Sequence, residues 1–198
     1  MNCCRNSVSR LRHECDGSAL LELAVSLPLL VVFIVGIYDF SGAYNQKQKL
    51  GHAAQVGAIT AGAQATSDIE TGTADPQSLH PVVAAIFSSL SNSGVLANAN
   101  QGSCTATAYN VTSTSLQWTY AIQGCPDTLS IIINRGWVPN VADVPPITDA
   151  STMTVGTLVT ARYPYHWRFN SAIQLLFPGA TFSAPASLSE TAKVHNQF

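Results

Sequence analysis

Charge is scarce in this 198-residue chain: Asp, Glu, Lys and Arg together make up 10%, and the net charge is −2. That composition leaves no clustered basic surface of the kind that binds nucleic acid. Cysteine is sparse as well, and Cys3, Cys4, Cys15, Cys104 and Cys125 include no CxxC spacing, so a zinc ribbon or finger is not expected. The sequence has no GxSxG, no HExxH and no P-loop, which removes the standard hydrolase, zinc-protease and nucleotide signatures. The histidines His13, His52, His80, His166 and His195 stand singly and read as surface or satisfied residues. Asp68, Glu70 and Asp75 lack the run of oxygen ligands that a calcium loop requires and read as solvating a linker. We therefore expect no metal, no cofactor and no enzymatic activity. Low charge does not imply disorder here, because 46% hydrophobic residues suffice for a core.

What the chain does have is an uninterrupted apolar run, Leu23 to Tyr38, preceded by Asp16-Gly17-Ser18-Ala19-Leu20-Leu21-Glu22. As a helix, Ser18 to Tyr38 would span ~30 Å, the thickness of a bilayer's hydrocarbon core. Glu22 sits at the lip of that run. Deep in a bilayer a lone carboxylate costs at least ~2.5–3.5 kcal/mol, so such residues usually have a function. At headgroup level it would merely complement the positive end of a helix dipole. Arg5, Arg10 and Arg12 favour a cytoplasmic N-terminus, and Lys47 and Lys49 on the far side weaken that bias. Ser41-Gly42-Ala43 could serve as an ordinary signal cleavage site, but the apolar run is long and Asp39 intervenes. Pro28 removes one helical hydrogen bond, which bends the helix or lets it stretch locally and which a membrane helix tolerates.

The segment Asp16 to Tyr44 resembles the N-terminus of TadE-like proteins, the minor pseudopilins of tight-adherence (Flp, type IVc) pilus systems. Gly17, Glu22, Leu27-Pro28-Leu29-Leu30, Gly36-Ile37 and Tyr38-Asp39-Phe40 carry the resemblance, while Leu23 stands where the family usually has an aromatic residue. The resemblance implies cleavage after Gly17 by a prepilin peptidase, so that Ser18 becomes a free α-ammonium. Glu22, then the fifth residue, would set subunit registration by pairing with a neighbour's ammonium. Implied partners are other pilins or pseudopilins, inner-membrane assembly proteins and the membrane itself. The implied location is a single pass of the inner membrane, with the C-terminal domain in the periplasm or, within a pilus, outside the cell. Two other readings stand beside it: a signal-anchored periplasmic binding or enzymatic domain, and a type II secretion pseudopilin.

Beyond Gly17 only Cys104 and Cys125 remain, and in an oxidising compartment one pair reads as one disulfide; two buried thiols are the alternative. The helix continues past Tyr38 to about Ala65, with Leu50, Ala54, Gly57 or Ala58, Ala61 and Ala65 as a narrow small-residue stripe. Thr66 to Pro81 is a polar linker, and Val82 to Leu90 a short helix opened by Pro81. Cys104–Val111 and Ser115–Gln123 suggest a hairpin turning at Thr112-Ser113-Thr114, with Leu116, Trp118, Tyr120 and Ile122 on one face. Leu129–Asn134, Met153–Tyr163 and Thr181–Ala192 supply further strands, Pro139–Pro146 an irregular crossing, and Phe169–Phe177 a short helix or loop. The aromatic run Tyr163-Pro164-Tyr165-His166-Trp167 is either a binding platform or packing. The expected fold is α+β with a pilin-like layout. It comprises a basic leader (1–17), a transmembrane helix (18–38), its extension (39–66), a linker (67–81) and a periplasmic domain (82–198) that holds an antiparallel sheet.

Overall fold

The computed structural model describes residues 7–69, 73–137, 156–169, 173–174, 179 and 186–197, with side chains described from Leu20 onward. The chain divides into two compact units, Met1–Gly42 with Trp167–Ala184, and Ala43–His166 with Pro185–Phe198. Helix α1 (Ser7–Gly62) contributes to both. The fold is α+β, as expected: the long helix, a short helix α2 (His80–Asn92) and a five-stranded antiparallel sheet.

In the second unit the strands β1 (Tyr109–Thr114), β2 (Gln117–Cys125), β3 (Asp127–Trp137), β4 (Gly156–Pro164) and β5 (Ser187–His195) pair in sequence order. Alternation determines which side chains face the helices. Val111, Tyr120, Ile131, Ala161 and Glu190 stand in register across all five strands, flanked by the row Ser113, Trp118, Ile133, Val159 and Ala192. Trp118, Tyr120, Ile122, Leu129, Ile131 and Ile133 are fully buried. Such a side chain contributes roughly 1.5–3 kcal/mol, so these positions dominate the stability of the unit.

The inner sheet face and α2 bury a stripe of α1: Leu50, Ala53, Ala54, Ala58 and Ala61. The expected stripe holds from Leu50 to Ala61, but the helix ends at Gly62 and Ala65 lies exposed beyond it. Gly57 shows why small residues are needed. A Cβ there would come within 2.4 Å of the Ile86 side chain on α2. The glycine costs roughly 1 kcal/mol of helix propensity, less than the ~1.5–3 kcal/mol from burying Ile86 against it.

The β1–β2 hairpin lies further along the chain than the sequence suggested, and its first strand is shorter. It turns at Ser115-Leu116, where Ser115 has φ 55°, and Thr112 to Thr114 stay in the strand. β-branched threonines suit the pleat better than the turn. The first strand starts at Tyr109 rather than at Cys104, β3 extends over Asp127–Trp137, and the last strand begins at Ser187. The Pro139–Pro146 crossing, Met153–Val155 and Thr181–Pro185 lie outside the described residues. Cys104 and Cys125 form a disulfide with Cα atoms 4.9 Å apart, closing a 21-residue separation that holds the hairpin. Closing a loop of that size stabilises by roughly 3 kcal/mol.

The C-terminal end of α1 is capped by a buried cation. Arg135 continues the inward series Leu129, Ile131, Ile133 on β3 and is only 2% exposed. Its guanidinium donates to the carbonyls of Ala61 and Gln64 and to the Thr157 hydroxyl. Helix ends leave carbonyls without partners and carry negative partial charge, so a fixed cation there is favourable. Gln197 N–H donates to Gly62 O at 3.1 Å and closes the same end from the chain terminus. Replacing Arg135 with Met should lower stability by about 3 kcal/mol, because carbonyls already withdrawn from water lose a charged donor. A urea titration of the detergent-solubilised chain measures it, and a loss below about 1 kcal/mol would remove the capping role.

Candidate functional site

The features that suggest function lie along α1. An 18-residue window of this helix reaches a mean hydropathy of 2.6, which by length and composition is compatible with a single-pass membrane anchor. Its side chains are exposed around the whole circumference: Leu21, Val25, Phe33, Ile37 and Tyr38 all exceed 60%. A helix that is apolar on most sides and largely uncovered by its own protein suits a lipid environment.

Gly17 and Ser18 lie within the helical span, in the part where only the backbone is described. Glu22 is exposed one turn after Ser18, and Leu23 beside it is also exposed. The four-residue step puts positions 18 and 22 on the same face of the helix, ~6 Å apart along its axis. The helix passes through Pro28 without ending.

At the end of the apolar run the first unit contains an interaction that the sequence reading missed. Asp39 is 2% exposed, and its carboxylate accepts the backbone N–H groups of Arg168 and Phe169 at 2.8 and 2.9 Å. Charge-assisted bonds of this kind are about twice as strong as neutral ones. The Phe169 ring rests on Gly36, where a Cβ would stand 3.1 Å from Phe169 Cε2, and Trp167 meets Phe40 edge-on at 5.2 Å. A carboxylate set one residue after an apolar run was the available signal, since it needs a partner there.

Residues 17–58 match the family model of the TadE-like protein. The match begins at Gly17, takes in Ser18, Glu22, Pro28 and Asp39, and stops within the buried stripe of α1. α2 and the sheet lie outside it. No curated protein and no solved structure matches the chain.

A second polar constellation belongs to the segment before α2. Asp75 accepts from the Tyr120 hydroxyl at 3.1 Å and lies 3.0 Å from His80 Nε2, while Trp118 Nε1 donates to Thr73 O at 2.8 Å. His80 Nε2 makes no aligned hydrogen bond there. Asp68 accepts the Ser78 N–H at 2.8 Å. The segment is therefore tied to β2 and to the start of α2, and Asp68 and Asp75 do more than solvate it; Glu70 lies outside the described residues. Burial, then the Asp75 charge and hydrogen bond, push the Tyr120 hydroxyl far above its ordinary pKa. Nothing in this cluster supplies an activated nucleophile, and among the described residues no three His, Cys, Asp or Glu converge as a metal site. His166 pairs with Asp127 at 2.7 Å, and Tyr163 is buried with its hydroxyl donating to Cys125 O, so that tyrosine serves packing.

Burial alone would raise the pKa of Asp68, but hydrogen bonding by Ser78 and its own backbone, with the Arg135 charge, holds it below the ordinary carboxylate value. Because the folded value is the lower one, its contribution is present above the unfolded pKa of ~3.9 and is lost as pH falls through the folded value. Asp68→Asn should therefore flatten the loss of thermal stability as pH falls below about 5. An unchanged acid profile in that variant would show that other carboxylates set it.

Proposed function

We propose that this chain is a minor pseudopilin or pilus-assembly component of a tight-adherence (Flp-type) system, structural rather than catalytic. The observation that carries the reading is the coincidence of the TadE-like match at 17–58 with an exposed apolar helix whose outset bears Glu22. In this reading α1 crosses the inner membrane once, with the N-terminus cytoplasmic and the sheet unit periplasmic, where the Cys104–Cys125 disulfide would persist. A prepilin peptidase cuts between Gly17 and Ser18. The new ammonium of Ser18 on one subunit then meets the Glu22 carboxylate of its neighbour.

The energetics of that step follow from the bilayer. An unpaired carboxylate in lipid costs several kcal/mol less when a cation neutralises it, so assembly relieves a strain that the isolated subunit carries. The partners are other pilins or pseudopilins and inner-membrane assembly proteins. Placement outside the cell follows where the subunit enters a filament.

Glu22→Ala should still insert in the membrane at wild-type level but co-purify at least about tenfold less with the other pilus subunits, the equivalent of ~1.4 kcal/mol of lost pairing. Affinity isolation from membranes compares the two. Normal incorporation of the variant would contradict the registration role, and failure to insert would assign Glu22 to membrane targeting instead.

A further inference from the structure

The β4–β5 connection leaves the sheet unit after His166 and returns at Pro185, its neck closed by Tyr165 N–H donating to Ala186 O at 3.1 Å. Between those points, residues 167–184 form one compact unit with the N-terminal helix. An ordinary surface loop has no need of that company. The contacts on the helix side are specific: Phe169 over Gly36, Trp167 on Phe40, and the Asp39 carboxylate fixing the backbone of Arg168 and Phe169.

The position along α1 identifies the partner. Gly36 lies in the last turn of the ~30 Å apolar span, and Phe40 one turn further, ~6 Å along the axis. Phe169 is thereby set at the edge of the hydrocarbon and Trp167 at headgroup level, the depth where tryptophan is enriched in membrane proteins. Arg168 between them is exposed, suited to lipid phosphate. Beside the Phe169 ring lies a groove of about 450 Å³ lined by Val32, Phe33, Gly36, Ile37, Phe40 and Phe169. Its walls are continuous with the surface of the span, so an acyl chain that meets the helix meets the groove as well.

The geometry points to Trp167–Phe169 as a second, interfacial membrane contact: an aromatic collar that engages bilayer lipid where α1 leaves the hydrocarbon. Asp39 is its positioning residue. By accepting both N–H groups it removes backbone donors that would be costly at the edge of the hydrocarbon. This inference rests on the reading of α1 as a membrane span.

Tryptophan fluorescence of the full chain, reconstituted in phosphatidylcholine vesicles with or without brominated acyl chains, tests it. Trp167→Phe keeps an aromatic ring on Phe40 and defines the signal of the remaining tryptophans, Trp118 and Trp137. Phe33→Trp in that background reports the span itself. Bromination should quench the Trp167 component, and Trp167→Phe should abolish that loss. Quenching at Phe33→Trp with an unquenched Trp167 component would overturn the collar and leave the anchor intact, the outcome expected if a second copy of the chain covers the segment. Absence of quenching at both positions would overturn the anchor reading together with the inference.

Discussion

Helix α1 joins two surfaces of different chemistry in one continuous element, an exposed apolar half compatible with a membrane anchor and a half that packs on the sheet, and most of the structure follows from that pairing. Its first half exposes apolar side chains in every direction, which water does not favour and lipid does. Its second half exposes polar residues and buries only a narrow stripe of alanines, Gly57 and Leu50. A wider apolar stripe would extend the exposed apolar surface past Tyr38, whereas a narrower one would not hold a sheet. Small residues resolve the conflict by close approach, with little apolar area on the helix and large side chains supplied by Ile86, Trp118 and the β3 isoleucines.

Two buried charges mark points along that helix where the chain must be fixed. Asp39 stands just past the apolar run and takes backbone donors from the β4–β5 connection; Arg135 stands at the far end and donates to the last carbonyls. Each is a charge withdrawn from water, and each has hydrogen-bonded backbone partners, the condition under which burial is tolerated. Between them, Lys47 pairs with Glu190 at 3.2 Å, and Gln46 donates to Pro164 O at 3.1 Å. These contacts join α1 to β4 and β5 where the sheet edge offers only half-buried side chains.

The elements with clean periodicity were legible in the sequence. Trp118, Tyr120 and Ile122 alternate and are buried as their spacing implies; Thr157, Val159, Ala161 and Tyr163 are buried on β4, although Gly156 and Thr160 on its other face are buried too. On β5 Glu190 takes an inward position that interrupts the alternation of Leu188, Ala192 and Val194, and the strand runs on to His195, past the expected end at Ala192. The hairpin turn was misplaced because Thr112-Ser113-Thr114 looks turn-like locally, while the register with Trp118 and Gln117 keeps Ser113 and Thr114 paired. The burial of Arg135 and Asp39 is not legible in the sequence, because a single charge in a periodic pattern reads as solvent-facing until its partners, roughly 70 and 130 residues away in sequence, are brought beside it. The TadE-like segment could be recognised because the residues that carry the match are contiguous in sequence and need no tertiary assembly to be read.

We propose that α1 is a prepilin-type helix which begins, in the mature protein, at Ser18. Mass spectrometry of the N-terminus of the membrane-extracted protein tests it most directly. The account predicts a chain that starts at Ser18, with Glu22 as its fifth residue and the apolar run intact. A start beyond Ala43 would show that the apolar run is a removable signal, and an intact Met1 would show a plain anchor; either would contradict the account.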